Sequence, residues 1–181
     1  MNSSTTTRNA DIVLSAAVIA MGLLAGLIYA FSVAVMPDLT AADDRTLVDA
    51  MQQMADNPAF PLTFLAAPAL ATVALVQARR SSSPQATGWI VAGLALYTVT
   101  AVVTFAIHIP LNDDLVKAGD PARIGDLAVV HDDFVTPWVA WNIVRTLAST
   151  AAFGALAWAL VLRARMGRAE QPRRTDGYVR G

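Results

Sequence analysis

Four runs of apolar residues, near 12–35, 60–78, 87–109 and 137–162, alternate along the chain with polar stretches of unequal length. Each run is long enough to cross a hydrocarbon core of about 30 Å, which takes about 20 helical residues. The first three contain no Asp, Glu, Lys or Arg, and the fourth contains one, Arg145. In lipid every backbone amide must be paired within its own segment, so the runs predict helices despite their valines and threonines. The expected fold is all-α, an antiparallel bundle of four transmembrane helices. The first run is read as a crossing and not as a cleaved signal peptide. It is longer than a signal's apolar region and reaches a turn expected at Met36-Pro37-Asp38 without a convincing cleavage site.

The polar stretches carry structure of their own. Thr40 and Asp43 resemble a capping pair, and Leu47, Val48, Met51 and Met54 then recur at helical spacing among Asp49, Gln52 and Gln53. A short amphipathic helix lying over the bundle is expected there, ended by Asn57-Pro58. The stretch 112–136 predicts a second short helix over 121–130, whereas the connection at 81–85 is short and polar. Gly22 and Gly26, one turn apart, predict close contact between helices. The resulting organisation is an N-terminal tail over 1–10, a membrane domain over 11–164 and a disordered basic tail over 165–181.

Composition and charge place these elements. Of 181 residues 55% are hydrophobic and 15% charged, too apolar for an ordinary soluble domain. The net charge of −1 conceals a segregation of signs. Arg8, Arg79, Arg80, Arg163, Arg165, Arg168, Arg173, Arg174 and Arg180 fall in the N-terminus, the loop between the second and third runs or the C-terminal tail, and the other two loops hold only Arg45, Lys117 and Arg123 against many aspartates. Cations near helix ends stay in the cytoplasm, so both termini are expected inside and the two longer loops outside. High alanine and arginine content suits a bacterial cytoplasmic membrane. Membrane lipids are expected partners; nucleic acid is not, since no folded basic face is interleaved with aromatics. Cysteine is absent, which excludes disulfides and thiolate chemistry. A homo-oligomer is compatible with the sequence.

The polar residues inside the apolar runs carry the candidate chemistry. Trp138, Asn142 and Arg145 share one stripe of the fourth run, with Trp141 beside them. Arg145 lies about 12 Å below the outer end of a helix starting at Pro137 and should turn into the bundle to a partner. Thr104, His108 and Asn112 are spaced by four at the end of the third run. Tyr29, Ser32 and Met36 of the first run and Phe60, Thr63 and Phe64 of the second reach the same level, outlining an aromatic-lined polar pocket open to the outer loops. The alternative is a purely structural polar core, in which Arg145 only holds helices together. No metal site is expected, because His108 and His131 are the only histidines and neither belongs to a HxxxH or ExxH pattern.

Val35-Met36-Pro37, Ala50-Met51-Gln52, Asn57-Pro58-Ala59-Phe60, Ile109-Pro110-Leu111-Asn112 and Trp138-Val139-Ala140-Trp141-Asn142-Ile143-Val144-Arg145-Thr146 together resemble the anthrone oxygenase-like family, in order and spacing, over about 12–162. The chain departs from the family pattern at His108, where an asparagine is common. The resemblance implies a four-helix membrane protein and, for some members, oxidation of an anthrone to an anthraquinone by dioxygen without a cofactor. Such chemistry would use His108 as base and Arg145, Asn112 and Asn142 as donors to a developing oxyanion. Trp138, Trp141, Tyr29, Thr104 and Phe64 would line the substrate slot. The partners would then be a hydrophobic aromatic compound and dioxygen. A non-catalytic protein binding a lipid, a quinone or a partner protein, and a structural subunit, are the competing readings.

Overall fold

The computed structural model describes the backbone of residues 3–55, 57, 59–80 and 84–169 and the side chains of residues 8–55, 57, 64–80 and 84–166. Among them the regular elements are all helical: α1 (Ser3–Ala30), α2 (Met36–Ala41), α3 (Asp44–Ala55), α4 (Ala59–Arg80), α5 (Pro84–Val103), α6 (Ile109–Lys117) and α7 (Leu127–Ala169). Among the described residues three helical segments are long and apolar enough to cross a membrane, Arg8–Ala41, Pro84–Lys117 and Leu127–Met166. Their outward faces carry Ile19, Leu23, Val102, Phe105 and Leu147, a surface suited to lipid and costly in water.

The first of these rods does not turn at Met36-Pro37-Asp38, as the sequence suggests. A π-helical turn, Phe31–Val35, joins α1 to α2, and a second, Thr104–His108, joins α5 to α6. In each case a proline follows at the start of the next helix. Proline lacks an N–H and crowds the carbonyl four residues back, here Val33 and Ala106, so an ordinary α-turn would strain. The chain keeps its hydrogen bonds by widening the turn: Met36 N–H reaches the Phe31 carbonyl and Ile109 N–H that of Thr104, five residues back.

The long helices neighbour one another in the cyclic order α1, α4, α5, α7 and back to α1. Asp11 meets Arg163 and Ser32 meets Thr146, so α1 and α7 run antiparallel. Leu14, Ala17, Met21, Leu24 and Ile28 form the buried stripe of α1, and Ala67, Ala71, Ala74 and Ala78 that of α4. The alanines allow the close approach that helix packing in lipid depends on. Gly22 lies against the Phe153 ring, while Gly26 faces open space, so only the first of the expected glycine pair is a contact. Gly93 of α5 is a second contact: a Cβ there would stand 3.0 Å from the Leu156 side chain and 3.3 Å from the Ala152 carbonyl of α7.

A second apolar cluster, Met36, Leu47, Val48, Met51, Leu115, Phe134 and Trp138, roofs the opposite end from the Asp11–Arg163 ion pair. The amphipathic helix expected from Leu47, Val48, Met51 and Met54 is α3, and its apolar stripe builds this roof. Its cap is Asp43 and not Thr40. Asp43 Oδ1 accepts from Thr46 N–H at 3.0 Å and Oδ2 from the Thr46 hydroxyl at 2.7 Å, while the Thr40 hydroxyl turns back to the Pro37 carbonyl.

The helix expected over 121–130 is replaced by turns at 121–123, where Asp120 accepts from Ala122 and Arg123 N–H. Helix begins instead at Leu127, capped by Asp126 Oδ1 on Val129 N–H at 3.2 Å, and runs through Pro137. It also continues to Ala169, past residue 165 where the tail was expected. The tail arginines 173, 174 and 180, the expected turn residue Pro58, and the side chains of Phe60, Thr63 and Arg168 lie outside the described residues.

Candidate functional site

Between the two apolar clusters lies a buried polar layer built on one stripe of α7. Asn142 is its hub. Its Oδ1 accepts from Arg145 Nη2 at 2.6 Å and Nε at 3.2 Å, and its Nδ2 donates to Ser32 Oγ at 2.8 Å and the Ile28 carbonyl at 3.3 Å. The Thr146 hydroxyl donates to the Asn142 carbonyl at 2.9 Å, so at its 2.8 Å contact with Ser32 it must accept. A closed loop results, Asn142 Nδ2 to Ser32 to Thr146 and back to the Asn142 backbone. Such loops strengthen each member bond.

Arg145 is only 7% exposed, and its remaining contacts are Thr104 Oγ1 at 3.4 Å from Nη1 and the Trp138 ring, 5.5 Å from Cζ. Among the described residues no carboxylate lies within ion-pair distance of it. The guanidinium has five N–H donors; three are engaged and two are left over. A buried cation without a counter-anion is costly unless something supplies one.

His108 is also buried. Its ring stands edge-on to Trp138 with centroids 5.0 Å apart, and Nδ1 lies 3.4 Å from the Val103 carbonyl. That carbonyl can only accept, so the contact selects the tautomer protonated on Nδ1 and puts the lone pair on Nε2. Nε2 has no hydrogen-bond partner among the described residues. Trp138 in turn donates from Nε1 to Asn112 Oδ1 at 3.2 Å.

These groups face one cavity of about 470 Å³, lined by Phe64, Thr104, His108, Asn112, Trp138 and Arg145, with Phe31, Met51, Met54 and Tyr97 among its apolar walls. The volume is in the usual range for a small-molecule site, about 300–1,000 Å³. Six of the nine residues expected from the sequence therefore line it, and Asn142 stands behind Arg145 as its acceptor.

Tyr29 and Trp141 do not belong to the cavity. Tyr29 is 53% exposed and Trp141 41% exposed, because each follows or precedes an inward residue, Ile28 or Asn142, by one step of about 100° around the helix. Tyr97, Met51 and Met54 were not anticipated as lining. Tyr97 lies seven residues before Thr104 on the same stripe, which sequence spacing could have shown. The two methionines reach the cavity only because α3 folds over it. Among the described residues no cluster of three His, Cys, Asp or Glu could hold a metal ion.

Searches of curated proteins and of solved structures found no match. A family model, anthrone oxygenase, matches residues 51–155. That span is narrower than the 12–162 resemblance read from the motifs, leaving α1 with Ser32 outside. It contains the end of α3, with Met51 and Met54 of the cavity wall, and all of Phe64, Thr104, His108, Asn112, Trp138, Asn142 and Arg145. With more than half of its length matched, the chain belongs to the anthrone oxygenase family.

Proposed function

We propose that this chain is a membrane oxygenase of four crossings, α1 with α2, α4, α5 with α6, and α7, with both termini cytoplasmic in a bacterial inner membrane. In this reading it oxidises an anthrone-like or phenolic compound with dioxygen in the cavity beneath α3. The observation that carries the reading is Arg145, a buried cation with spare donors and no carboxylate, on the wall of a cavity otherwise apolar enough for a flat aromatic molecule. Such a group favours the ligand form that bears negative charge on oxygen.

His108, on the same cavity wall, is the complementary base. It takes a proton from the methylene carbon of the anthrone, and the electron pair moves onto the ring oxygen facing Arg145. Dioxygen then forms a bond to that carbon, His108 returns its proton to the outer peroxide oxygen, and the resulting hydroperoxide loses water. One oxygen atom remains as the new carbonyl and the other leaves as water, so anthrone and dioxygen balance against anthraquinone and water. Trp138, held by Asn112, is the flat wall between base and cation.

The test is dioxygen consumption with anthraquinone quantified, for the wild type and for Arg145→Met and His108→Gln variants of equal secondary structure. One anthraquinone per dioxygen is expected, with the rate reduced roughly 100-fold or more in each variant, the size of a lost base or oxyanion donor. A wild-type rate equal to the spontaneous one would overturn the oxygenase and favour a non-catalytic binder of a quinone or lipid.

A further inference from the structure

We propose that the cavity is entered sideways from the lipid, at the outer end of the seam between α4 and α5 where the π-turn Thr104–His108 follows α5, with Leu65 and Phe105 as the two edges of the entrance. The inference rests on the cavity being a ligand site and is independent of whether the ligand is turned over. Most of its lining is buried or half-buried; of the exposed lining residues Ala55 is small and ends α3, whereas the large side chains of Leu65 and Phe105 are 62% and 63% exposed. A side chain that faces both the cavity and the exterior marks an opening. Ile109, exposed one turn beyond Phe105, extends the same edge.

The route from the outer aqueous side is roofed. Leu47, Val48 and Met51 of α3 are buried against Leu115, Phe134 and Trp138. Gln52 fastens α3 to the end of α6, donating from Nε2 to the Leu115 carbonyl at 2.8 Å and the Gly119 carbonyl at 3.0 Å. The seam, in contrast, has the sparsest packing of the four neighbouring long-helix pairs. The Tyr97 hydroxyl, bonded to the Phe64 carbonyl, ties it at the inner edge of the cavity.

The entrance lies at acyl-chain depth. Leu65 is about 21 Å along α4 from Arg79, within a hydrocarbon core of about 30 Å. Its described edge residues, Leu65, Phe105 and Ile109, are apolar, and α7, which carries Arg145, stands across the ring from α4. A molecule entering here must dissolve in the bilayer and leads with the oxygen that Arg145 receives. The ligand class is therefore a neutral, flat hydrophobe with a keto or phenolic oxygen at one end, drawn from the membrane and not from water.

The experiment is photolabelling of the full chain in phosphatidylcholine vesicles with a lipophilic aryl diazirine, the modified residues being located by mass spectrometry. In the wild type, label is expected on Met51, Tyr97 or Trp138. Leu65→Trp and Phe105→Trp should each lower it several-fold, and Leu65→Ala should raise it. Both positions are exposed, so the core is untouched, and labelling of the outward-facing Leu147 and Ile19 confirms correct insertion in every variant. Interior labelling that is absent, or unchanged by all three substitutions, would overturn the proposal. So would equal interior labelling by a charged, water-soluble aryl diazirine. Lack of oxygenase turnover would leave this result standing, so the two readings fail separately.

Discussion

Asn142 converts one kind of polarity into another at the centre of the protein. Its oxygen faces a cation and its amide N–H groups face a hydroxyl and a carbonyl; no apolar or acidic side chain of similar size can do both. Asn142→Leu should cost about 3–5 kcal/mol, the range for removing one partner of a buried charged group. Asn142→Asp should be tolerated better, because an anion beside Arg145 replaces the missing counter-charge, yet it should abolish turnover by occupying the cation. Thermal unfolding in detergent, alongside anthraquinone formation, checks both. The stripe Trp138, Asn142, Arg145 is legible from spacing alone, and so is the inward direction of Arg145, since its cost in lipid allows nothing else. The exposure of Tyr29 and Trp141 is not, because both are aromatic, lie at the right depth and miss the cavity only by their angle around the helix.

At the scale of elements, prolines account for most of what the sequence conceals. Pro37, Pro110 and Pro137 look like helix ends, but π-turns and a cap at Asp126 carry helix past all three. Pro68, inside α4, leaves the Phe64 carbonyl without its helical donor, and the Tyr97 hydroxyl fills the vacancy. Tyr97→Phe should therefore cost about 1–3 kcal/mol, the penalty of an unsatisfied buried acceptor. In a Pro68→Ala background, where residue 68 recovers its N–H, the same change should cost much less. A double-mutant cycle of unfolding free energies measures the difference, and equal costs in both backgrounds would refute the link.

Gly93→Ala should destabilise by about 1–3 kcal/mol through overpacking against Leu156, whereas Gly26→Ala should not, having open space around it. The cap on α3 adds a pH dependence. Thr46 holds the Asp43 carboxyl below its ordinary value, so the cap is fully formed above that value and is lost as pH falls through the lowered one. Amide exchange at Thr46 should accelerate only in that acid range.

For the whole molecule, the apolar runs and the segregation of arginine made a helical membrane protein legible before any coordinate. They could not show that α3 folds inward as the roof of a cavity, since amphipathic spacing tells which face is apolar and not what it covers. The proposed orientation rests on charge alone and is tested by single cysteines in this cysteine-free chain. A cysteine at Asp126 should react with an impermeant maleimide on intact spheroplasts, and one at Ser82 only after lysis. The reverse pattern would invert the protein in the membrane.

In the proposed reaction Arg145 and His108 together bind an anthrone as its enolate. The most direct measurement is the absorption spectrum of an anthrone added to the protein without dioxygen, where the enolate absorbs at longer wavelength than the keto form and cannot react further. An enolate band is expected with the wild type and none with Arg145→Met or His108→Gln. A bound keto spectrum in the wild type, or an enolate band that survives Arg145→Met, would contradict it.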